Sequence, residues 1–289
     1  MPDLHLVSPV IGYVIAGVFG ALIGSFLNVV IHRVPLEESI VFPNSHCGSC
    51  GGAIAFYDNI PVLSWVMLGA KCRRCKERIS IRYPAVELLT AALFVGVAWH
   101  TGLSAALPFD LVFVSALVSL VFIDAQHMIL PNVITYPGIV FAVVARIAIP
   151  YLTGTPHFDD VPPLMHGTLA GMPIGVVSLV GALIGALIGG GSLWLMGWTW
   201  EKLRGIEAMG LGDVKMMFMV GAYLGWRLTI LTIFVGVLTG SVIGIMLMAR
   251  KRERNMQMLL PFGVFLGLGA VAALLFGAPL VEWYAGQFR

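Results

Sequence analysis

The sequence predicts an all-α polytopic membrane protein of about eight transmembrane helices, with a cytoplasmic tetracysteine loop domain between the first two. Three observations carry this. Hydrophobic residues make up 58% of the chain and charged ones only 11%, against roughly a quarter in soluble domains. Several uncharged stretches reach the about 20 residues that a helical crossing requires. All four cysteines fall in one polar loop, together with a cluster of Lys and Arg. So few charges could not cover a soluble globule of 289 residues, and a net charge of +2 gives no reason to expect a nucleic-acid partner.

The stretches free of Asp, Glu, Lys and Arg are residues 4–31, 88–109, 161–200, 228–249 and 255–281. Three more apolar segments carry one or two charges: 107–129 with Asp110 and Asp124, 132–151 with Arg146, and 211–226 with Asp213 and Lys215. Residues 161–200 are too long for one simple crossing, so their early part is expected at the interface or in a long tilted helix. Residues 1–9 lack Lys and Arg and show no signal-peptide pattern, so the first span is read as retained and entering from outside.

Orientation follows from the loops. Arg33, Lys71, Arg73, Arg74, Lys76, Arg78 and Arg82 lie between spans one and two. Lys202 and Arg204, then Arg250, Lys251, Arg252 and Arg254, occupy alternate loops further on. The opposite loops hold Arg227, Asp159 and Asp160. Lys and Arg accumulate on the cytoplasmic side. Both termini are therefore expected outside and the first loop inside.

That loop carries Cys47, Cys50, Cys72 and Cys75 as two Cys-x-x-Cys pairs. Each pair can wrap one side of a tetrahedral zinc ion. Disulfides fit a reducing compartment poorly, and a metal gives a loop with little core a fixed shape. Four thiolates leave no open coordination position, so the predicted zinc is structural.

Asp124 interrupts an uncharged run shortly before Pro131, where the helix should stop. Asp213 follows Gly210-Leu211-Gly212 at the start of the sixth span. The third span runs inward and the sixth outward, so both carboxylates reach one cytoplasmic depth. Ionisable groups there usually line a water-filled site. Two facing carboxylates suit peptide hydrolysis, one holding a proton while the other takes one from water. Two other readings stay open on the residues alone. Asp213 is a good helix cap, and Asp124 with Arg146 or Lys215 could form an ion or proton pathway, making the chain a transporter.

The motifs narrow this. Phe122-Ile123-Asp124 with Pro131-Asn132, and Gly210-Leu211-Gly212-Asp213-Val214-Lys215, resemble the two active-site motifs of prepilin peptidases, which are intramembrane aspartic peptidases of the Gly-x-Gly-Asp type. The stretch from Gly24 to Pro35, with Ser25, Asn28 and Arg33, is similar to that family too. So are the cysteine loop, residues 59–65, residues 79–89 and Pro261-Phe262-Gly263. The resemblance implies that Asp124 and Asp213 are catalytic. It further implies removal of the basic leader from type IV prepilins or type II secretion pseudopilins, after Gly, at the cytoplasmic face of a bacterial inner membrane. It also implies N-methylation of the new terminus with S-adenosylmethionine, although no residue of the sequence marks a site for that cofactor. The expected organisation is a first helix over 1–31, the zinc domain over 32–84 and a helical peptidase core over 85–289.

Smaller features have plainer readings. Gly181, Gly185 and Gly189 line one helix face and favour close packing within the chain over dimerisation, which leaves the oligomeric state open. His127, on nearly the same face as Asp124, is a possible partner or a bystander. Lys215 either tunes the pair or snorkels to water.

Overall fold

The computed structural model describes residues 9–155, 161–205, 209–251 and 260–287. Residues 4–8 of the first expected span, Asp159, Asp160, Arg252 and Arg254 lie outside these. The chain divides into two compact units, Met1–Ser119 and Leu120–Arg289. The described residues include seven helices long and apolar enough to cross a membrane.

The first unit is built on α1 (Pro9–Arg33) and α3 (Arg82–Thr101), which pack antiparallel. Glycine permits their close approach. A Cβ on Gly20 would stand 2.8 Å from the Ala91 Cα, and one on Gly24 2.7 Å from the Glu87 Cα. The polar loop between them holds a short helix, α2 (Leu63–Met67), and two small hairpins marked by the bridges His46–Ala53 and Lys71–Arg78. The exposed apolar residues of α1, such as Val14, Val18 and Leu22, are those expected of a surface that faces lipid.

α4 (Leu107–His127) ends a few residues before Pro131, because Met128 adopts a left-handed conformation (φ 53°) and closes the helix. α5 (Asn132–Thr153) follows directly. The long apolar stretch after it begins its helix only at Ile174. α6 (Ile174–Ala186) passes through a π turn at Leu187–Gly191 into α7 (Ser192–Arg204).

α8 (Leu211–Lys251) is broken at Gly225, whose φ of 77° and ψ of 174° no helix tolerates. Its apolar stretch spans 39 residues, which as a straight helix would run about 58 Å, roughly twice the hydrocarbon thickness. The break returns the chain on itself. A Cβ on Gly189 would strike both the Met217 carbonyl and Thr229, so residues on either side of Gly225 flank one glycine. The second limb packs antiparallel on α9 (Phe262–Gly286), with Leu228 against Gly277, Thr232 against Gly269 and Gly240 against Phe265. A Cβ on Gly185 would meet the Gly221 carbonyl and the Gly225 Cα, so the small-residue face serves contacts within the chain. Met216, Met217 and Met219 are fully buried around this packing.

Candidate active site

Asp124 lies one turn from the end of α4 and is 5% exposed. Its Oδ2 accepts the Val264 backbone N–H at 3.1 Å, and Gly263 lies against the same oxygen. The amide belongs to the first turn of α9, where N–H groups have no partner inside the helix and the dipole favours negative charge. Pro261 precedes the helix and sets its start. A carboxylate from one helix thus caps the beginning of another.

Asp213 sits in the first turn of α8 and is half-buried. Its own N–H bonds the Gly210 carbonyl at 3.2 Å, which closes the glycine turn. One position relates the two acids. A Cβ on Gly263 would lie 2.8 Å from Asp124 Oδ2 and 3.0 Å from Asp213 Oδ1, which caps the separation of those oxygens at the sum of the two distances. Leu130 closes the same point at 3.1 Å. The missing side chain of Gly263 leaves the space between the carboxylates open.

Lys215 is turned elsewhere. Its Nζ donates to Asn132 Oδ1 at 2.8 Å and stands over the Tyr136 ring. Arg146 donates to the Tyr223 carbonyl. His127 is exposed. Among the described residues the recorded ion pair is Arg73–Asp58, so neither basic residue of the ion-pathway reading is paired with Asp124.

In the loop, the sulfurs of Cys47, Cys50, Cys72 and Cys75 all lie within 4.8 Å of one another, and those of Cys47 and Cys75 are 3.8 Å apart. Four sulfurs about 2.3 Å from a tetrahedral centre stand about 3.8 Å from each other, so the set fits a metal ion. The two hairpins match. Cys47 donates to Gly52 and Cys72 to Glu77, and the residues after the second cysteines, Gly51 and Lys76, are both left-handed. The Cys50 and Ser49 amides aimed at Cys47 lower its thiol to about 6. The Cys75 and Arg74 amides likewise lower Cys72. One thiol of each hairpin is thus drawn toward the thiolate, the form that binds metal, while desolvation and the neighbouring sulfurs push Cys75 up to about 11.

Comparison with known proteins now bears on these two sites. The bacterial peptidase A24 N-terminal domain matches residues 18–101, and the type IV leader peptidase family matches residues 111–245. A Pseudomonas aeruginosa protein named prepilin leader peptidase/N-methyltransferase is 35% identical over 98% of both chains. The chain belongs to the type IV leader peptidase family. Proteins of the same name from Dichelobacter nodosus (34% identical, 97% of each chain) and Aeromonas hydrophila (33% identical, 93% of this chain and 92% of the other) agree. No solved structure matches. As a bacterial leader-peptidase relative with several long apolar helices, the chain is a multi-pass inner-membrane enzyme with a cytoplasmic loop.

Sequence reasoning about this leader-peptidase chain missed the part played by Gly263 and Val264. Val264 offers a backbone amide and Gly263 an absent side chain, which residue chemistry does not advertise. Pro261 before an apolar run was the available signal for a helix start at that depth.

Proposed function

We propose that the chain is an aspartic endopeptidase that removes the basic leader of type IV prepilins or type II secretion pseudopilins after Gly, with Asp124 and Asp213 as the catalytic pair. The observation that carries this is the placing of both carboxylates around the single open point at Gly263. Two carboxylates that face one space can hold a single proton between them, and such a pair titrates as a unit. The ionised partner takes a proton from water, whose oxygen attacks the scissile carbonyl. The protonated partner stabilises the oxyanion and then protonates the leaving amine. The Val264 amide holds Asp124 in place throughout, so its geometry is set before substrate arrives.

Eight crossings suit this scheme better than seven. The return of α8 at Gly225 supports counting its limbs separately, as does the meeting of both limbs' inner ends with the start of α9. The first helix over 1–31, a zinc domain over 32–84 and a peptidase core over 85–289 remain the proposed division. The substrate's apolar helix lies in lipid beside the enzyme, with its polar leader in the cytoplasm.

Zinc on the four thiolates would hold the loop's shape and activate no water, since the cysteines fill its coordination. Chelation of zinc, or Cys72→Ser with Cys75→Ser, is expected to leave the membrane helices inserted and the loop open to limited proteolysis. Proteolytic fragments and metal content read this out. An unchanged digestion pattern in the metal-free protein overturns the structural role.

A second activity, methylation of the freed α-amine, is proposed on the strength of the relatives' shared name. S-adenosylmethionine, when bound, supplies an electrophilic methyl group. Detergent-purified enzyme is to be incubated with a prepilin, with and without S-adenosylmethionine, and the product weighed. The expected result is loss of the leader in both reactions and one added methyl group only with the cofactor. An uncut prepilin sinks the peptidase reading, and a trimmed but unmethylated product sinks the transferase reading alone.

A further inference from the structure

Within the first unit, the inner ends of α1 and α3 enclose a set of hydrogen-bond acceptors. Glu87, in the second turn of α3, is 7% exposed. Its Oε2 accepts the Val62 backbone N–H at 2.7 Å, and Ser25 stands beside the carboxylate. Among the described residues, no Lys, Arg or His lies within ion-pair distance of it. One turn along the same seam, Asn28 is 3% exposed. Its Nδ2 donates to the Tyr83 carbonyl at 3.0 Å, and its Oδ1 is buried without a partner.

The turn above this pair is strained. Val62 has a φ of 62° and a ψ of −50°, and the Leu63 N–H reaches back to the Pro61 carbonyl at 2.6 Å. This is a γ-turn of the unfavourable hand, at a β-branched residue that rarely adopts positive φ. Such strain persists only where its surroundings enforce it, and it concentrates at functional sites. Glu87 grips the central N–H of the turn. A neutral acceptor would grip it equally well, so the latch leaves the choice of an ionisable side chain unexplained. A lone carboxylate at a membrane edge is costly, and the cost is offset when a cationic ligand completes it.

We propose that Glu87, with Ser25 and Asn28, binds the freed α-amine of the trimmed substrate and is the base for its methylation. The proposal rests on the transferase reading above. The chemistry matches by count. An ionised carboxylate offers about four acceptor sites, of which the turn uses one; Asn28 Oδ1 adds further capacity, and an ammonium brings three donors. In the reaction Glu87 takes one proton from the ammonium. The nitrogen lone pair then forms a bond to the methyl carbon of S-adenosylmethionine as the carbon–sulfur bond breaks. The products are a secondary ammonium, neutral S-adenosylhomocysteine and a protonated Glu87, which returns its proton to water.

Glu87→Gln isolates the charge, because the amide oxygen still accepts the Val62 N–H. The full-length enzyme is tested in detergent. In the absence of S-adenosylmethionine, a trimmed pilin N-terminal peptide with a free amine is expected to bind wild type at least tenfold tighter than its N-acetylated form. Glu87→Gln should lose that preference. With cofactor present, the variant should remove the leader within twofold of the wild-type rate and methylate at least a hundredfold more slowly. Asn28→Ala should weaken free-amine binding in the same direction.

Unchanged methylation in Glu87→Gln, or equal binding of free and acetylated peptide by wild type, overturns the proposal while leaving the transferase reading intact. Loss of cleavage and methylation together, with the loop opened to protease, assigns Glu87 to the fold and overturns it also. Weaker binding of S-adenosylmethionine itself by Glu87→Gln, with peptide binding unchanged, places the cofactor's amino end there instead. A wild-type enzyme that adds no methyl group removes both readings at once.

Discussion

Asp124→Asn and Asp213→Asn each reduce leader removal by about 10⁴-fold or more, while the protein still inserts and accumulates. The magnitude follows from the roles. An amide can neither take a proton from water nor lend one to a leaving amine, and the two roles depend on each other. Loss of either acid therefore stops the same step, and the double variant should be little worse than each single one. The fold should survive, because Asn keeps the size of Asp and its carbonyl oxygen at position 124 still accepts the Val264 N–H. A transporter or a scaffold would behave differently, showing altered flux or altered stability with processing intact. Single-turnover cleavage of a purified prepilin, read by mass, measures the effect. Either variant retaining about a tenth of wild-type activity would remove that aspartate from the chemistry. Methylation of a substrate supplied already trimmed should persist in both variants, since the aspartates act before the amine is freed.

The depth at which these acids meet was legible before any coordinates. Charge bias fixed which loops face the cytoplasm, and counting apolar stretches then brought Asp124 and Asp213 to one level. The cysteine spacing was equally plain, because metal geometry dictates it. The glycine face of α6 was readable as a packing surface, but its partner was not. Any helix could have filled that place, and only the carbonyls of α8 at Met217 and Gly221 identify it. Gly225 was one glycine among 34, and nothing local distinguishes a glycine that reverses a chain from one that packs. Lys215 bonds to Asn132, the residue after Pro131, so that part of the first motif holds the second in place. Glu87 was visible only as one letter of a motif. Its burial, and the lack of a cation beside it among the described residues, emerge from the seam between α1 and α3, which sequence does not display.

Gly263→Ala is the second substitution with a large expected effect, and it touches no titratable group. Its Cβ would stand 2.8 Å from Asp124 Oδ2 and 3.0 Å from Asp213 Oδ1, closer than carbon and oxygen normally pack. Something must move. The start of α9 is fixed by its packing on the second limb of α8, and Asp124 is tied to the Val264 amide. Displacement therefore falls on the carboxylates and the water between them. Misplacement of reacting groups by about 1 Å can cost about 10²-fold, so cleavage should fall by about that factor or more. Helix propensity offers no competing cause, because Ala is a better helix former than Gly. Gly286→Ala, at the far end of α9 with nothing within 4 Å of its Cβ, is the matched control and should cleave normally. Thermal unfolding of the two variants should differ little, while their cleavage rates separate. Wild-type cleavage by Gly263→Ala would mean that the space between the aspartates does not have to stay open, and the two-carboxylate mechanism would lose the geometry on which it stands.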